Sequence, residues 1–431
     1  MSRSPDLVVD IASLGAGGDG LAETANGPVY VPYAAPGDRL GIRVRREKGS
    51  VRRGDIVERL TDGPSRIGPV CSHFAECGGC AVQHIEGTAY RDWKRQLVVA
   101  PLERRGFDGA IVGALLPGDA GQRRRARFFV RLTAAGPVLG FRMARSHHIV
   151  ALSECPVTDP GIVSLLPSLR TLTGRLFKAG DSAEISVTAC ESGLDVTIYA
   201  AAEPDMPARI ALADFAEDAD LARLSWGGFG AGGAAEPVIR RRAATVRFGS
   251  VAGSVAVEPP PDAFLQPTGD GEAALRARIE QALTGTARVA DLYAGCGAFA
   301  LPLAAAGKHV LAIDSAADHI DALNAAARGA GLGPFVAAEA RDLHRRPLAG
   351  RELRELDGVV LDPPRAGAAS QAAALAESEV PVIAYASCDP KSFSRDARVL
   401  SDGGYRLEAV TPVDQFLFTP HVELVGVFRR D

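Results

Sequence analysis

The sequence predicts a multidomain α/β chain. An OB-like β-barrel is expected over residues 1–62, a mixed α+β domain over 63–260, and a Rossmann-like, doubly wound sheet over 261–431. Three observations predict this. Short β-like runs between Gly and Pro turns fill the first sixty residues. Alternating strand patterns, mainly of antiparallel type, fill 121–260. From about Phe264 onward strand and helix patterns alternate, as they do in βαβ units.

In the first part the runs are Leu7–Ile11, Val29–Val31 and Leu40–Val44, with turns at Gly15–Gly20 and Pro36–Asp38. Short strands at such spacing predict a small barrel. Arg43, Arg45, Arg46, Arg52 and Arg53 suit the oligonucleotide-binding kind. On this turn placement the segment resembles a TRAM domain, an RNA-binding module found beside RNA-modifying enzymes.

A helix pattern from Thr88 to Arg105 follows. The middle part then carries strands such as Arg123–Val130 and Glu184–Thr188, with a Gly-rich turn over Trp226–Gly233. Its strands hold no chemical motif. In the last part, strands are expected at Arg288–Tyr293, His309–Asp314, Phe335–Ala338, Gly358–Leu361 and Pro381–Ala386. Two more are expected near Tyr405–Val410 and Glu423–Phe428, with helices at Phe299–Ala306 and Ala316–Arg328.

Bulk composition excludes some classes. With 431 residues, 47% hydrophobic and 23% charged, the chain is globular and long enough for two or three cores. No run of about 18 apolar residues offers a membrane span, and the polar start offers no signal core. A cytoplasmic, membrane-free protein is expected. The net charge is −4, yet between Arg39 and Arg131 there are 19 Lys and Arg against 10 Asp and Glu. A basic region on an acidic protein is the footprint of phosphate-backbone binding.

The chemistry gathers at strand ends. Cys388 follows the apolar run Pro381–Tyr385, inside Ser387-Cys388-Asp389-Pro390. Asp362 ends another strand, in Asp362-Pro363-Pro364-Arg365, and Asp291–Gly297 is a glycine loop ending a third. Ligands of open α/β sheets bind outside the carboxyl ends of the strands. The three ends would therefore line one crevice, with a thiol nucleophile beside a nucleoside-containing cofactor. The loop lacks the GxGxxG spacing that dinucleotides use. Asp314 ends the next strand and suits ribose hydroxyls, although it would also cap the following helix. Asp342, one strand further, is placed for an adenine edge. Together these describe an S-adenosylmethionine (SAM) site of the class I methyltransferase type. Cys296 is read as a small loop residue.

Arg365 after the two prolines, with a cysteine on the next strand end, suits methylation at carbon. Uracil C5 is too weak a nucleophile to take a methyl group directly. A thiolate added at C6 makes C5 enolate-like, and a base must later remove the C5 proton.

Three further cysteines fall within ten residues, as Cys71-x5-Cys77-x2-Cys80, and Cys155 stands before Pro156. Such crowding in a cytosolic protein favours metal ligation. Four thiolates suit zinc or a [4Fe–4S] cluster. Three local ligands plus one distant, Pro-flanked ligand favour the cluster. Gly78 and Gly79 would let backbone N–H groups face the sulfurs.

These motifs resemble those of the RNA uracil-5 methyltransferases, which make 5-methyluridine. The resemblance spans nearly the whole chain. It rests on Phe264-Leu265-Gln266-Pro267, Asp362-Pro363-Pro364-Arg365-Ala366-Gly367, Ser387-Cys388-Asp389-Pro390 and Thr419-Pro420-His421-Val422-Glu423, in that order after the cysteine cluster. It implies Cys388 as nucleophile, Glu423 as the base for the C5 proton and Asp362 at the target uracil beside SAM. It also implies Gln266, Tyr293, Asp314 and Asp342 as SAM contacts, and Cys71, Cys77, Cys80 and Cys155 as ligands of a [4Fe–4S] cluster. Ala298 departs from a more usual asparagine and Asp314 from a more usual glutamate. A barrel and a cluster together resemble the 23S ribosomal RNA branch, with transfer RNA the alternative substrate. A monomer is expected. A 5-methylcytosine enzyme would carry a cysteine where Arg365 stands. A non-catalytic RNA-binding or assembly factor would not need Cys388, Glu423, Asp362 and Gln266 together.

Overall fold

The computed structural model describes residues 5–46, 52–229, 235–249 and 253–430. The first four residues, and the Trp226–Gly233 turn from Gly230 on, lie outside the described residues.

The N-terminal strands form one six-stranded sheet. Its order is Leu7–Asp10, Arg39–Arg46, Arg52–Thr61, Val29–Val31, Gly20–Ala22 and Ser13–Leu14. Alternation along these strands sends Val9, Val29, Val31, Leu40 and Ile42 into a common core. The carboxylate of Asp38 accepts from the Ala35 and Gly63 N–H groups at 2.7 and 2.9 Å and pairs with Arg66, which ties the sheet to the segment leading to the cysteines.

The central sheet has seven strands, in the order Glu236–Arg240, Arg223–Gly228, Gly193–Ala200, Ser182–Cys190, Arg125–Thr133, Gly136–Arg142 and Ile149–Ala151. Only Gly193–Ala200 and Arg223–Gly228 pair in parallel. The helices Leu166–Leu176 and Met206–Asp218 supply Leu169, Leu172, Leu212 and Phe215 to its core.

The C-terminal sheet also has seven strands. Its order is Val336–Ala340, His309–Asp314, Arg288–Leu292, Gly358–Leu361, Val382–Ser387, Glu423–Arg429 and Arg406–Val413. The first five run parallel, and Glu423–Arg429 is antiparallel to both its neighbours. Successive strands step outward from Arg288–Leu292 to Val336–Ala340, and the chain then restarts on the other side at Gly358–Leu361. This reversal is the topological switch point at which open α/β sheets bind ligands. Apolar cores cover both faces.

Helix α1 (Gly87–Glu103) precedes the central sheet in sequence but packs elsewhere. Val98, Val99 and Leu102 join the core of the C-terminal sheet with Val410, Phe393 and Leu400. Its first turn is capped by Glu86, whose carboxylate accepts from the Thr88 and Ala89 N–H groups. Among the described residues no helix is long and apolar enough to cross a membrane.

Candidate active site

The switch point is lined by two of the three strand ends that sequence reasoning singled out, those of the glycine loop and Asp362. After Leu292 the chain turns through Tyr293, Gly295 and Gly297, with φ of +68°, +53° and +94°. At Gly297 a Cβ would meet Leu301 at 2.9 Å and Leu323 at 3.0 Å, so only glycine fits. Tyr293 holds the same left-handed region with a bulky side chain. Such strain persists where the surroundings enforce it. Here the Tyr293 and Ala294 N–H groups both donate to the Ile313 carbonyl, at 2.8 and 3.0 Å. Burial, then Asp396 and Asp342, push the Tyr293 phenol up to about 12.

Asp314 is committed on both oxygens. Oδ2 accepts from Gly295 N–H at 3.0 Å and Oδ1 from Ala316 N–H at 2.9 Å. It thus fixes the glycine loop and the following turn. Asp342 is exposed and closes its own turn by accepting from the His344 and Arg345 N–H groups at 2.9 and 3.3 Å. Asp291, part of the loop motif but given no role from sequence, is wholly buried. Burial, then Asp362 and Asp314, hold its pKa well above the carboxylate range.

Gln266, Asp362, Cys388 and Glu423 are brought together from four distant segments. Gln266 is 3% exposed. Its Nε2 donates to Asp362 Oδ2 at 2.8 Å, its Oε1 accepts from Gln415 Nε2 at 2.9 Å, and its carbonyl accepts from Arg124 Nε at 2.9 Å. Burial raises Asp362 to about 7, against the Gln266 hydrogen bond that favours its charge. Glu423 opens its strand fully buried, with Oε2 lacking a partner among the described residues. Burial and then Asp362 push it well above the usual range. The Cys388 thiol is pushed up to about 12 by burial, then by Glu423, Asp362 and Asp389. A thiol and two carboxyl groups therefore share one low-dielectric site. Protonated neighbours cost the thiolate less than ionised ones do.

Cys388 opens into a cavity of about 570 Å³ lined also by Arg365, His421, Trp93, Arg104 and Gly17. The cleft thus lies between the C-terminal sheet, α1 and the N-terminal sheet. Arg365 Nε donates to Asp389 Oδ2 at 3.2 Å across its rim.

Cys71, Cys77, Cys80 and Cys155 line a second cavity, of about 460 Å³. All four are free thiols. The Gly79 N–H faces Cys77 Sγ at 3.4 Å, while the Gly78 N–H goes to the Arg142 carbonyl instead. Thr158 Oγ1 donates to Cys155 Sγ at 3.2 Å. Burial, then the other three cysteines, raise Cys80 to about 12. Among the described residues no group of three or more His, Cys, Asp or Glu is arranged to hold a metal ion. The thiols surround a shared space rather than a point. His421 lines this cavity and the Cys388 cavity alike, so the 416–421 loop is the wall between them.

Arg123, Arg125 and Arg127 alternate along a run whose last two open the strand Arg125–Thr133, and the alternation predicts one shared face for meeting phosphates. The face is instead engaged within the protein. Arg125 and Arg127 both pair with Asp262, Arg123 Nε donates to the Arg125 carbonyl, and its guanidinium lies over the Phe416 ring. Of the three, only Arg127 is exposed.

Sequence reasoning missed Gln415 and the buried set Tyr90, Lys94 and Asp414. One signal was available. Tyr90, Lys94 and Val98 recur at four-residue spacing, which puts a lysine in the apolar stripe of α1.

Comparison with known proteins adds the following. A model of the tRNA (uracil-5-)-methyltransferase family matches residues 255–430. A protein of Brucella suis described as an uncharacterized RNA methyltransferase is 40% identical over 430 residues, covering 100% of this chain and 99% of its own. The 23S rRNA (uracil(1939)-C(5))-methyltransferase RlmD of Chromohalobacter salexigens is 32% identical over 446 residues, covering 100% of this chain and 91% of its own. Among solved structures, the tRNA (uracil-54, C5)-methyltransferase of Pyrococcus abyssi, in complex with S-adenosyl-L-homocysteine, superimposes with a TM-score of 0.77. It is 23% identical and the match covers 98% of this chain and all of that one.

Proposed function

The chain belongs to the RNA uracil-5-methyltransferase family, and on that premise we propose that it methylates C5 of a uridine in 23S ribosomal RNA through a covalent Cys388 adduct. The observation that carries this reading is the gathering of Cys388, Asp362 and Glu423 in one buried site beside the glycine loop. Asp362, held by Gln266, meets the uracil and orients it. Cys388 gives up its proton to solvent through the cavity it opens into, and its sulfur bonds to C6, sending the C5–C6 π electrons to C5 and the ring carbonyl. When bound, SAM would supply an electrophilic sulfonium methyl group for C5 to attack, the S–CH3 bond pair staying on the departing sulfur. Glu423 then takes the C5 proton, the C5–C6 double bond re-forms, and the sulfur leaves C6 with the S–C bond pair. For that step Glu423 must be ionised. The buried carboxyl therefore first loses its own proton, and Asp362 is the neighbouring acid that sets how easily.

Gln266, Tyr293, Asp314 and Asp342 are assigned to SAM. Support comes from the strained loop at the switch point and from the Asp314 carboxylate that braces it. For the four cysteines we assign a [4Fe–4S] cluster with no electron-transfer part in methylation. Their spacing and common cavity support it. Anaerobically purified protein should then hold about four irons per chain. One zinc and no iron would overturn this.

The ribosomal target is favoured by likeness over the whole chain to a relative named for 23S rRNA. Transfer RNA is the second reading, favoured by the family model and by the Pyrococcus structure. Mapping 5-methyluridine in both RNAs, with and without the gene, decides between them. The adduct is tested with RNA carrying 5-fluorouridine, whose fluorine cannot leave as a proton. Wild type should form a denaturation-resistant complex. Continued turnover by Cys388→Ala would sink the mechanism.

A further inference from the structure

We infer that Gln415 is a positioning residue that fixes which way the Gln266 amide points, and through it favours uracil over cytosine. This rests on the reading that Asp362, held by Gln266, meets the target base, and it adds to the SAM contact assigned to Gln266 a second one, from its amide to that base. A primary amide is nearly symmetric in shape but opposite in hydrogen-bonding sense at its two ends. Packing alone therefore cannot orient it. Its partners must.

Gln266 has one partner at each end. Nε2 donates to Asp362 Oδ2 at 2.8 Å, and Oε1 accepts from Gln415 Nε2 at 2.9 Å. Half a turn about the last bond would set the Gln266 oxygen against the Asp362 carboxyl and its NH2 against the Gln415 NH2. The contact with Gln415 would be lost, and the one with Asp362 as well whenever that carboxyl is ionised, in a buried site where unpaired polar groups are costly.

Gln415 can dictate this only if its own amide is fixed, and two features fix it. Oε1 accepts from the Thr268 N–H at 3.4 Å, which turns the NH2 toward Gln266. The side chain is 2% exposed and lies against the first turn of the helix Gly269–Ala282. A Cβ at Gly271 would come within 2.2 Å of Gln415 Cγ, so that glycine makes its berth. The main chain is held as well, because Asp414 N–H donates to the Leu116 carbonyl at 2.9 Å and the Asp414 carboxylate is bound by Lys94 and Tyr90. Donors therefore run in one direction, from Thr268 through Gln415 and Gln266 to Asp362.

The direction matters to a pyrimidine. Uracil carries an acceptor oxygen at C4 where cytosine carries an amino donor. With Gln266 fixed as it is, its NH2 has a second hydrogen to offer an oxygen. Reversed, it would offer a carbonyl, which suits the cytosine amine. A site built to satisfy one pattern rejects the other because a mismatch leaves buried groups unpaired.

Two variants of the full-length protein test this, Gln415→Leu and Gln415→Glu, each with the target RNA and with the same RNA carrying cytidine at the target. The Leu variant keeps the bulk and loses the donor. Its kcat/KM on the uridine RNA should fall by about tenfold or more, and the preference for uridine RNA in binding should shrink by a similar factor. The Glu variant supplies a readout that loss of packing cannot mimic. Its carboxyl donates O–H to Gln266 Oε1 when protonated, and draws in the Gln266 NH2 when ionised. Its activity relative to wild type should therefore fall as pH rises between about 6 and 9, while the Leu ratio stays flat. The inference is overturned if the Leu variant keeps its kcat/KM and its uridine preference, or if the Glu and Leu ratios follow the same pH course. If the Leu variant fails to fold, the Glu pH course decides. Wild type run alongside separates the two claims: no 5-methyluridine from wild type counts against the proposed function, whereas active wild type with unaltered variants counts against Gln415 alone.

Discussion

Lys94 Nζ donates to Asp414 Oδ1 at 2.8 Å, from a helix and a loop 320 residues apart, with both side chains shut away from solvent. The same ammonium donates to the carbonyls of Phe416, at 3.0 Å, and His421. The Tyr90 hydroxyl binds the other Asp414 oxygen and accepts from Phe418 N–H at 3.0 Å. Helix α1 thus clamps the loop that leads to Glu423. Removing one member of a buried ion pair leaves the other charge uncompensated, at a cost of about 3–5 kcal/mol. Lys94→Met should lose that much in urea unfolding. Adding Asp414→Asn should restore part of it, since the orphaned charge is then gone. A single-variant cost below about 1 kcal/mol would show that the ammonium does not organise the loop.

Asp362 and Glu423 should make the fold less stable as pH rises. Burial raises Asp362 to about 7 and Glu423 in the same direction. Between the ordinary carboxylate range and pH 7 the folded chain keeps protons that the unfolded chain has released. For Asp362, stability falls with pH across that window and levels off above its raised pKa, and Glu423 adds a fall of the same sign. Asp362→Asn and Glu423→Gln remove the titration. Their thermal midpoints should match or exceed wild type, by a margin that grows from about pH 5 to about pH 8. A margin independent of pH would mean that these carboxyls ionise as readily folded as unfolded.

Much of this was legible in the chain itself, for physical reasons. Short apolar runs bounded by turn residues, such as Val382–Ser387 and Gly358–Leu361, read as buried strands, and a strand end fixes where Cys388 and Asp362 emerge. The glycine loop announced its own turn, because side chains are excluded at Gly297. Long-range pairing was not legible. A period of two places Arg125 and Arg127 on one face but says nothing of Asp262, which comes to that face from 135 residues beyond Arg127. Nor does local pattern reveal that α1 leaves the central sheet for the C-terminal one. That choice is made by Val98, Val99 and Leu102 finding partners near Val410. Gln415 was invisible because its meaning lies wholly in two contacts, at Gln266 and Thr268.

The arginine strand gives a prediction that differs from its appearance in sequence. Counterion release makes RNA affinity depend on salt in proportion to the phosphates contacted. Arg125, paired with Asp262 and only partly exposed, should contribute nothing to that slope. Arg125→Ala should lower the thermal midpoint and leave the slope of log K against log salt unchanged. Arg127→Ala should change the slope by at most about one unit, because its guanidinium is shared with Asp262 and Glu184. A large fall in slope for Arg125→Ala would mean that RNA displaces Asp262 on binding.

The two acids beside Cys388 should act at different times. C5 holds its proton until the methyl group has arrived, so a base for that proton has no earlier work. An acid that orients the uracil is needed for the adduct itself, since a reacting group out of place loses the advantage of proximity. Glu423 opens its strand buried and Asp362 sits on the Gln266 amide, so each is built for one of these tasks. Glu423→Gln keeps the shape and loses the basic oxygen. With ordinary uridine RNA it should accumulate a methylated protein–RNA adduct, visible as a denaturation-resistant band. Asp362→Ala should give little adduct of any kind, with 5-fluorouridine RNA included. Normal turnover by Glu423→Gln would transfer the base role to another group, His421 being the next titratable side chain along the loop. A Glu423→Gln protein that forms no adduct at all would make Glu423 a substrate-positioning residue and reverse the order of events argued from the chemistry.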